Sequence, residues 1–179
     1  PRPAGTDTRA LTLRLRVRGA MPGAPTADES ISDDQLVEIA RAAPDMGGQN
    51  LVPGVGCSSA SSWGESLGDW APAHPAPGDR RFRVLALDCG AKRNILRNLT
   101  DRGCEVTVIP HDTPADEIKA MLARGEADGL FISNGPGDPA AVEQTIATLR
   151  TLLTGADTAI PTFGICLGHQ LLSLALGAK

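Results

Sequence analysis

Two glycine-flanked segments carry residues suited to covalent chemistry. Gly164-Ile165-Cys166-Leu167-Gly168-His169-Gln170 has the form G-x-C-x-G, the thiol counterpart of the elbow that lifts a nucleophile above a sheet where strand turns into helix. Each part has a physical reason. Glycines at 164 and 168 remove the Cβ atoms that would collide as strand and helix converge. A helix N-terminus under the Cys166 sulfur favours thiolate over thiol, and the N–H of Leu167 points toward a developing oxyanion. The competing reading is a buried structural cysteine in a tight turn. The second segment is Ser133-Asn134-Gly135-Pro136-Gly137-Asp138-Pro139. Its turn offers backbone N–H groups to the same oxyanion and close approach to a substrate amide. Pro136 has no N–H, so Gly137 is the expected donor. Here the alternative is a plain loop in which Pro and Gly only set turn geometry.

A base for Cys166 is harder to find. His169 lies three residues on, almost a full helical turn from the sulfur and directed by the helix face, so a scaffold or hydrogen-bonding role is expected. His74 falls in a loop-rich stretch and His111 follows a strand, and both are expected to be solvated. The remaining cysteines, Cys57, Cys89 and Cys104, form no CxxC pair and no metal-ligand spacing. Cys89 and Cys104 sit in or beside strand-like runs, where a small buried thiol is expected. A reduced, cytoplasmic compartment fits this usage.

These residues need a scaffold, and the chain supplies one after residue 80. Strand-type runs at 82–88, 104–110, 129–134 and 161–165 alternate with helical patterns at 92–102, 114–124, 140–153 and from 167 onward. Gly103 stops the first of these helices, and Pro114 begins the next. Such alternation predicts an α/β fold, a three-layer open sheet of mostly parallel strands with helices on both faces. Both glycine turns then lie at the carboxyl ends of strands, where open parallel sheets bind ligands. Upstream, Asp7 or Thr8 caps a predicted helix through Leu15. Ser32 caps another over 33–43, with Leu36, Val37, Ile39 and Ala40 facing inward. Residues 53–79, with Pro53, Pro72, Pro75, Pro77 and the serines 58, 59, 61 and 62, read as a linker. Trp63 and Trp70 are the exceptions, expected to pin the linker to a neighbouring surface. The predicted organisation is therefore 1–52 as the end of one domain, 53–79 as linker, and 80–179 as the N-terminal part of the α/β domain.

The 179 residues carry a net charge of -4, which argues against nucleic acid or an anionic membrane as the main partner. The basic end with Arg2, Arg9, Arg14, Arg16 and Arg18 is the exception. No apolar run approaches the roughly 20 residues of a membrane span. Aromatics are 3% of the chain, so aliphatic side chains must build the core.

Residues 82–179 resemble the class I, triad-type glutamine amidotransferase domain, and most closely that of the carbamoyl-phosphate synthase small-subunit family. GICLGHQLL (164–172) resembles the elbow shared by the class, and SNGPGDP (133–139) its oxyanion and glutamine-binding turn. DCGAKRNILRNLTDRGCEVTVIP (88–110) discriminates, because D-x-G-x-K-x-N-I-x-R-x-L is similar to the carbamoyl-phosphate group rather than to amidotransferases of other syntheses. Stretches 6–21 and 40–52 resemble the end of that subunit's N-terminal domain and its passage into the amidotransferase domain. The resemblance implies Cys166 as nucleophile, with Gly135, Gly137, Leu167 and Gln170 contacting glutamine or its oxyanion. It also implies a large synthetase subunit that joins the ammonia to bicarbonate with ATP and a divalent metal. That partner makes carbamoyl phosphate for arginine and pyrimidine biosynthesis, and this chain itself holds no cofactor. The family's catalytic His and Glu find no counterpart in these residues, which implies an internal fragment, inactive by itself. Two other readings stay open: an amidotransferase serving a different synthetase, and a non-catalytic docking module.

Overall fold

Phe82–Asp88 (FRVLALD) is an aliphatic run too short for a helix of this burial, and its alternate residues serve two faces of a sheet. Leu85 and Leu87 turn to one side and Ala86 to the other, all with 1% exposure or less. A computed structural model, which describes residues 6–70, 81–155 and 160–178, shows how the flanking elements cover them. Predicted features at Arg2, Pro72, His74, Pro75 and Pro77 lie outside the described residues.

Five strands form one sheet: β1 Ser61–Trp63, β2 Phe82–Asp88, β3 Cys104–Pro110, β4 Gly129–Ile132 and β5 Thr162–Gly164, in the order β1-β3-β2-β4-β5. β2, β3, β4 and β5 are parallel. β1 runs antiparallel along β3, with Ser61 opposite Val108 and Trp63 opposite Val106. The helices are α1 Thr8–Arg18, α2 Asp33–Ala42, α3 Arg93–Asp101, α4 Ala115–Ala123, α5 Glu143–Leu153 and α6 Leu167–Ala175. On one face of the sheet, Leu96 of α3 packs with Ala86, Val106, Val108 and Phe131. On the other, Ile118, Leu149, Leu152, Leu167 and Leu171 from α4, α5 and α6 cover Leu85, Leu87, Ile109, Leu130 and Ile132. The α/β class and the helices on both faces are as the alternation predicts.

The chain divides into two compact units between Met46 and Gly47. This differs from the expected division, which placed a linker over 53–79. Val52 is fully buried in the core of the second unit, and residues 61–63 are sheet. Trp63 packs on the α3 side, donates its indole N–H to the Glu65 carbonyl at 3.0 Å, and lies under the Arg93 guanidinium. Glu65 in turn binds Arg93 and, at 2.9 Å, Arg97 of α3. Pro and Ser content had concealed a segment held by side chains distant in sequence. Trp70 is 88% exposed and anchors nothing of this kind.

In the first unit, Asp7 caps α1 through the Ala10 N–H, and Ser32 with Gln35 forms a capping box on α2. The expected inner face of α2 is only partly covered: Leu36 and Ala40 are half-buried, whereas Val37 and Ile39 are 45% and 51% exposed. The helix predicted over 140–153 begins with a 3-10 turn at Pro139–Ala141, capped by Asp138, before α5. Among the described residues no helix is long and apolar enough to cross a membrane.

Candidate active site

The strand order reverses between β2 and β4, and the loops leaving these two strands meet α6 there. Ser133 and Asn134 tie the strand ends together. The Ser133 hydroxyl accepts the Cys89 N–H at 2.8 Å, and Asn134 accepts the Lys92 N–H at 3.0 Å while donating to the Gly90 carbonyl at 3.1 Å. Asp88 closes the β2 loop, its carboxylate accepting N–H groups from Cys57, Gly90 and Ala91 at 2.8–2.9 Å.

Cys166 is the N-cap of α6, with φ 54 and ψ -112. It is the one non-glycine residue with positive φ among the described residues, a strained geometry that persists only where surrounding packing imposes it. The packing is visible in the flanking glycines. A Cβ on Gly164 would stand 2.5 Å from the Gly168 carbonyl carbon, and one on Gly168 would stand 2.2 Å from the Ile132 carbonyl oxygen. Strand end and helix start are in backbone contact, and the turn between them projects Cys166 outward, exposed. This excludes a buried structural cysteine. Leu167, the first residue of α6, has a buried side chain, and its N–H precedes the helix's own hydrogen-bond ladder. Gln170 is exposed in the first turn, its N–H bonded to the Cys166 carbonyl at 3.1 Å.

The second glycine turn meets this elbow directly. A Cβ on Gly135 would lie 2.6 Å from Leu167 Cδ2 and 2.2 Å from the Cys89 carbonyl oxygen. Gly137 takes φ 93, and its Cβ position is 2.6 Å from the Gln49 carbonyl oxygen. Gly135 and Leu167 are therefore brought together, while Gly137 faces the segment after residue 47. The segment contributes backbone N–H and carbonyl groups to these contacts, two of them bound by the Asp138 and Asp88 carboxylates, so its sequence shows it only through the family likeness at 40–52.

The other thiols are set apart from Cys166 by burial. Burial first, then the nearby Asp88 charge, pushes Cys89 up to about 12, and the same pair of causes raises Cys57. Cys104 is raised by burial. The histidines differ from expectation in one case. His111 is buried rather than solvated, its Nδ1 3.3 Å from the Thr145 hydroxyl, which itself donates to the His111 carbonyl. It stands at the end of β3 against Thr145 of α5 and keeps only 9% exposure. His169 is exposed on α6. Among the described residues no cluster of His, Cys, Asp or Glu could hold a metal ion.

The family model for class-I glutamine amidotransferases matches residues 85–179. The chain is 45% identical over 98% of its length to the carbamoyl phosphate synthase small chain of Thioalkalivibrio sulfidiphilus. It is 44% identical to that of Pseudomonas aeruginosa and 45% to that of Salmonella typhimurium. It spans 45–46% of the length of these relatives. A putative GMP synthase subunit from Thermoplasma acidophilum aligns over 55% of this chain and 46% of its own, with TM-score 0.45 and 23% identity.

Proposed function

The chain belongs to the class-I glutamine amidotransferase family, and from that premise we propose that it forms the glutamine-hydrolysing part of a carbamoyl-phosphate synthase, with Cys166 as nucleophile. The Cys166 thiolate adds to the side-chain amide carbon of glutamine, and the N–H groups of Leu167 and Gly137 hold the resulting oxyanion. As this adduct collapses, the amide nitrogen takes the proton that the Cys166 thiol gave up and leaves as ammonia, with a γ-glutamyl thioester remaining on Cys166. Water then cleaves the thioester, so that glutamine and water become glutamate and ammonia. Gly135 and Gln170 line the bound glutamine. Ammonia passes to a large synthetase subunit, where bicarbonate, ATP and a divalent metal complete carbamoyl phosphate for arginine and pyrimidine synthesis in the cytoplasm.

The observation that carries this reading is the exposed, positive-φ Cys166 at the start of α6, its neighbouring glycines in backbone contact with β4. The relatives named as carbamoyl phosphate synthase small chains support the choice of synthetase. The test is to assemble the full-length protein with a large subunit and follow carbamoyl phosphate from each nitrogen source. Cys166→Ser should abolish glutamine-dependent formation and spare ammonia-dependent formation. Loss of both, or of neither, would be evidence for a docking role.

A further inference from the structure

We propose that Asp138 is a positioning residue for glutamine hydrolysis, clasping the turn 135–137 to the backbone of the segment 47–57. This rests on the reading of Gly137 as an oxyanion donor. Two hydrogen bonds of opposite direction join residue 138 to chain some 90 positions upstream. The Gly48 N–H donates to Asp138 Oδ2 at 2.8 Å, and the Asp138 N–H donates to the Gln49 carbonyl at 2.9 Å. The other carboxylate oxygen accepts the Ala140 N–H at 2.9 Å. Gly137 lies between these bonds, with its Cβ position 2.6 Å from the Gln49 carbonyl oxygen and 3.1 Å from the Leu51 nitrogen.

The segment it leans on is itself fixed. Val52 is fully buried in the core, the Cys57 N–H is bound by Asp88, and a Cβ on Gly56 would stand 2.7 Å from the Asp88 carbonyl oxygen. Gly90 packs between Val55 and Pro136, within 2.8 and 3.3 Å of its Cβ position. The turn is thus gripped from two sides, through Gly135 by Leu167 and through residues 137–138 by the upstream segment. The N–H groups of Gly48 and Ala140, in that order, hold the Asp138 carboxyl below its ordinary value, so the anion is the form that makes the clasp. Removing the carboxylate leaves every oxyanion donor in the chain and the Asp138 N–H bond to the Gln49 carbonyl, but takes away the Gly48 half of the clasp.

The experiment uses the full-length protein with Asp138→Ala and Asp138→Asn. It measures steady-state glutamine hydrolysis and inhibition by glutamate γ-semialdehyde, an aldehyde whose adduct with the thiolate carries an oxyanion. For Asp138→Ala the expected result is a kcat lower by about 10- to 100-fold with KM changed less than about threefold, the scale of a misplaced but present donor. The inhibition constant of the aldehyde should rise by the same factor as kcat falls. Asp138→Asn, whose Oδ1 keeps one of the two N–H bonds, should fall between, and it carries the test if the alanine variant does not fold. Folded variants with wild-type kcat, or a loss confined to KM with unchanged aldehyde inhibition, would overturn the proposal. A wild-type protein that fails to hydrolyse glutamine would instead strike the underlying functional reading.

Discussion

Gly168→Ala should cost activity far more than stability. The added Cβ would stand 2.2 Å from the Ile132 carbonyl oxygen, 2.7 Å from its carbon and 2.8 Å from the Ser133 oxygen. Carbon–oxygen contacts begin near 3.3 Å, so the start of α6 must retreat from β4 by about 1 Å. All three neighbours are backbone, so no side chain can swing aside to absorb the change. Cys166 is two residues away, and its positive φ depends on this close approach. A displacement of about 1 Å at a reacting group costs on the order of 100-fold in rate, whereas overpacking of this kind costs roughly 1–3 kcal/mol of stability. Glutamate release and thermal melting would be measured on the full-length protein, with Gly64→Ala as control because its Cβ position has no neighbour within 4 Å. A folded Gly168→Ala protein releasing glutamate at the wild-type rate would refute the reasoning.

Iodoacetamide at pH 8 should label Cys166 first, because it is exposed while Cys57, Cys89 and Cys104 have raised thiol pKa values that keep them protonated there; peptide mapping that finds Cys89 modified first would contradict this. Gly137→Val, forced to φ 93 with its Cβ against the Gln49 carbonyl, should lower glutamine hydrolysis by about 100-fold or more, read as glutamate release beside an unchanged ammonia-dependent rate. Val52→Ala should destabilise by about 2 kcal/mol in urea titration, as a buried core residue does. An exposed loop residue would shift stability by no more than about 0.5 kcal/mol.

The sheet strands after residue 80 were legible because β2, β3 and β4 are aliphatic runs bounded by glycine, proline or charge. The elbow was legible because G-x-C-x-G states its own steric requirement. Three features were not. Strand β1 has only three residues, and its pairing is decided by Val106 and Val108 more than forty positions away. The segment 47–57 binds through backbone carbonyls and N–H groups, which carry no side-chain code, and Val52 is its fully buried apolar residue. His111 is buried by α5, an element 32 residues further on, so its position after a strand suggested water instead. In each case the deciding contact is non-local, whereas periodicity and turn chemistry report only neighbours.

The central claim is that Cys166 carries the glutamyl group, and acid-quench mass spectrometry of the full-length protein under steady turnover of glutamine tests it most directly. The account predicts an increase of one glutamyl group on the peptide containing Cys166, absent without glutamine and absent in Cys166→Ser. A glutamyl adduct on Cys57, Cys89 or Cys104, or sustained turnover by Cys166→Ser, would contradict it.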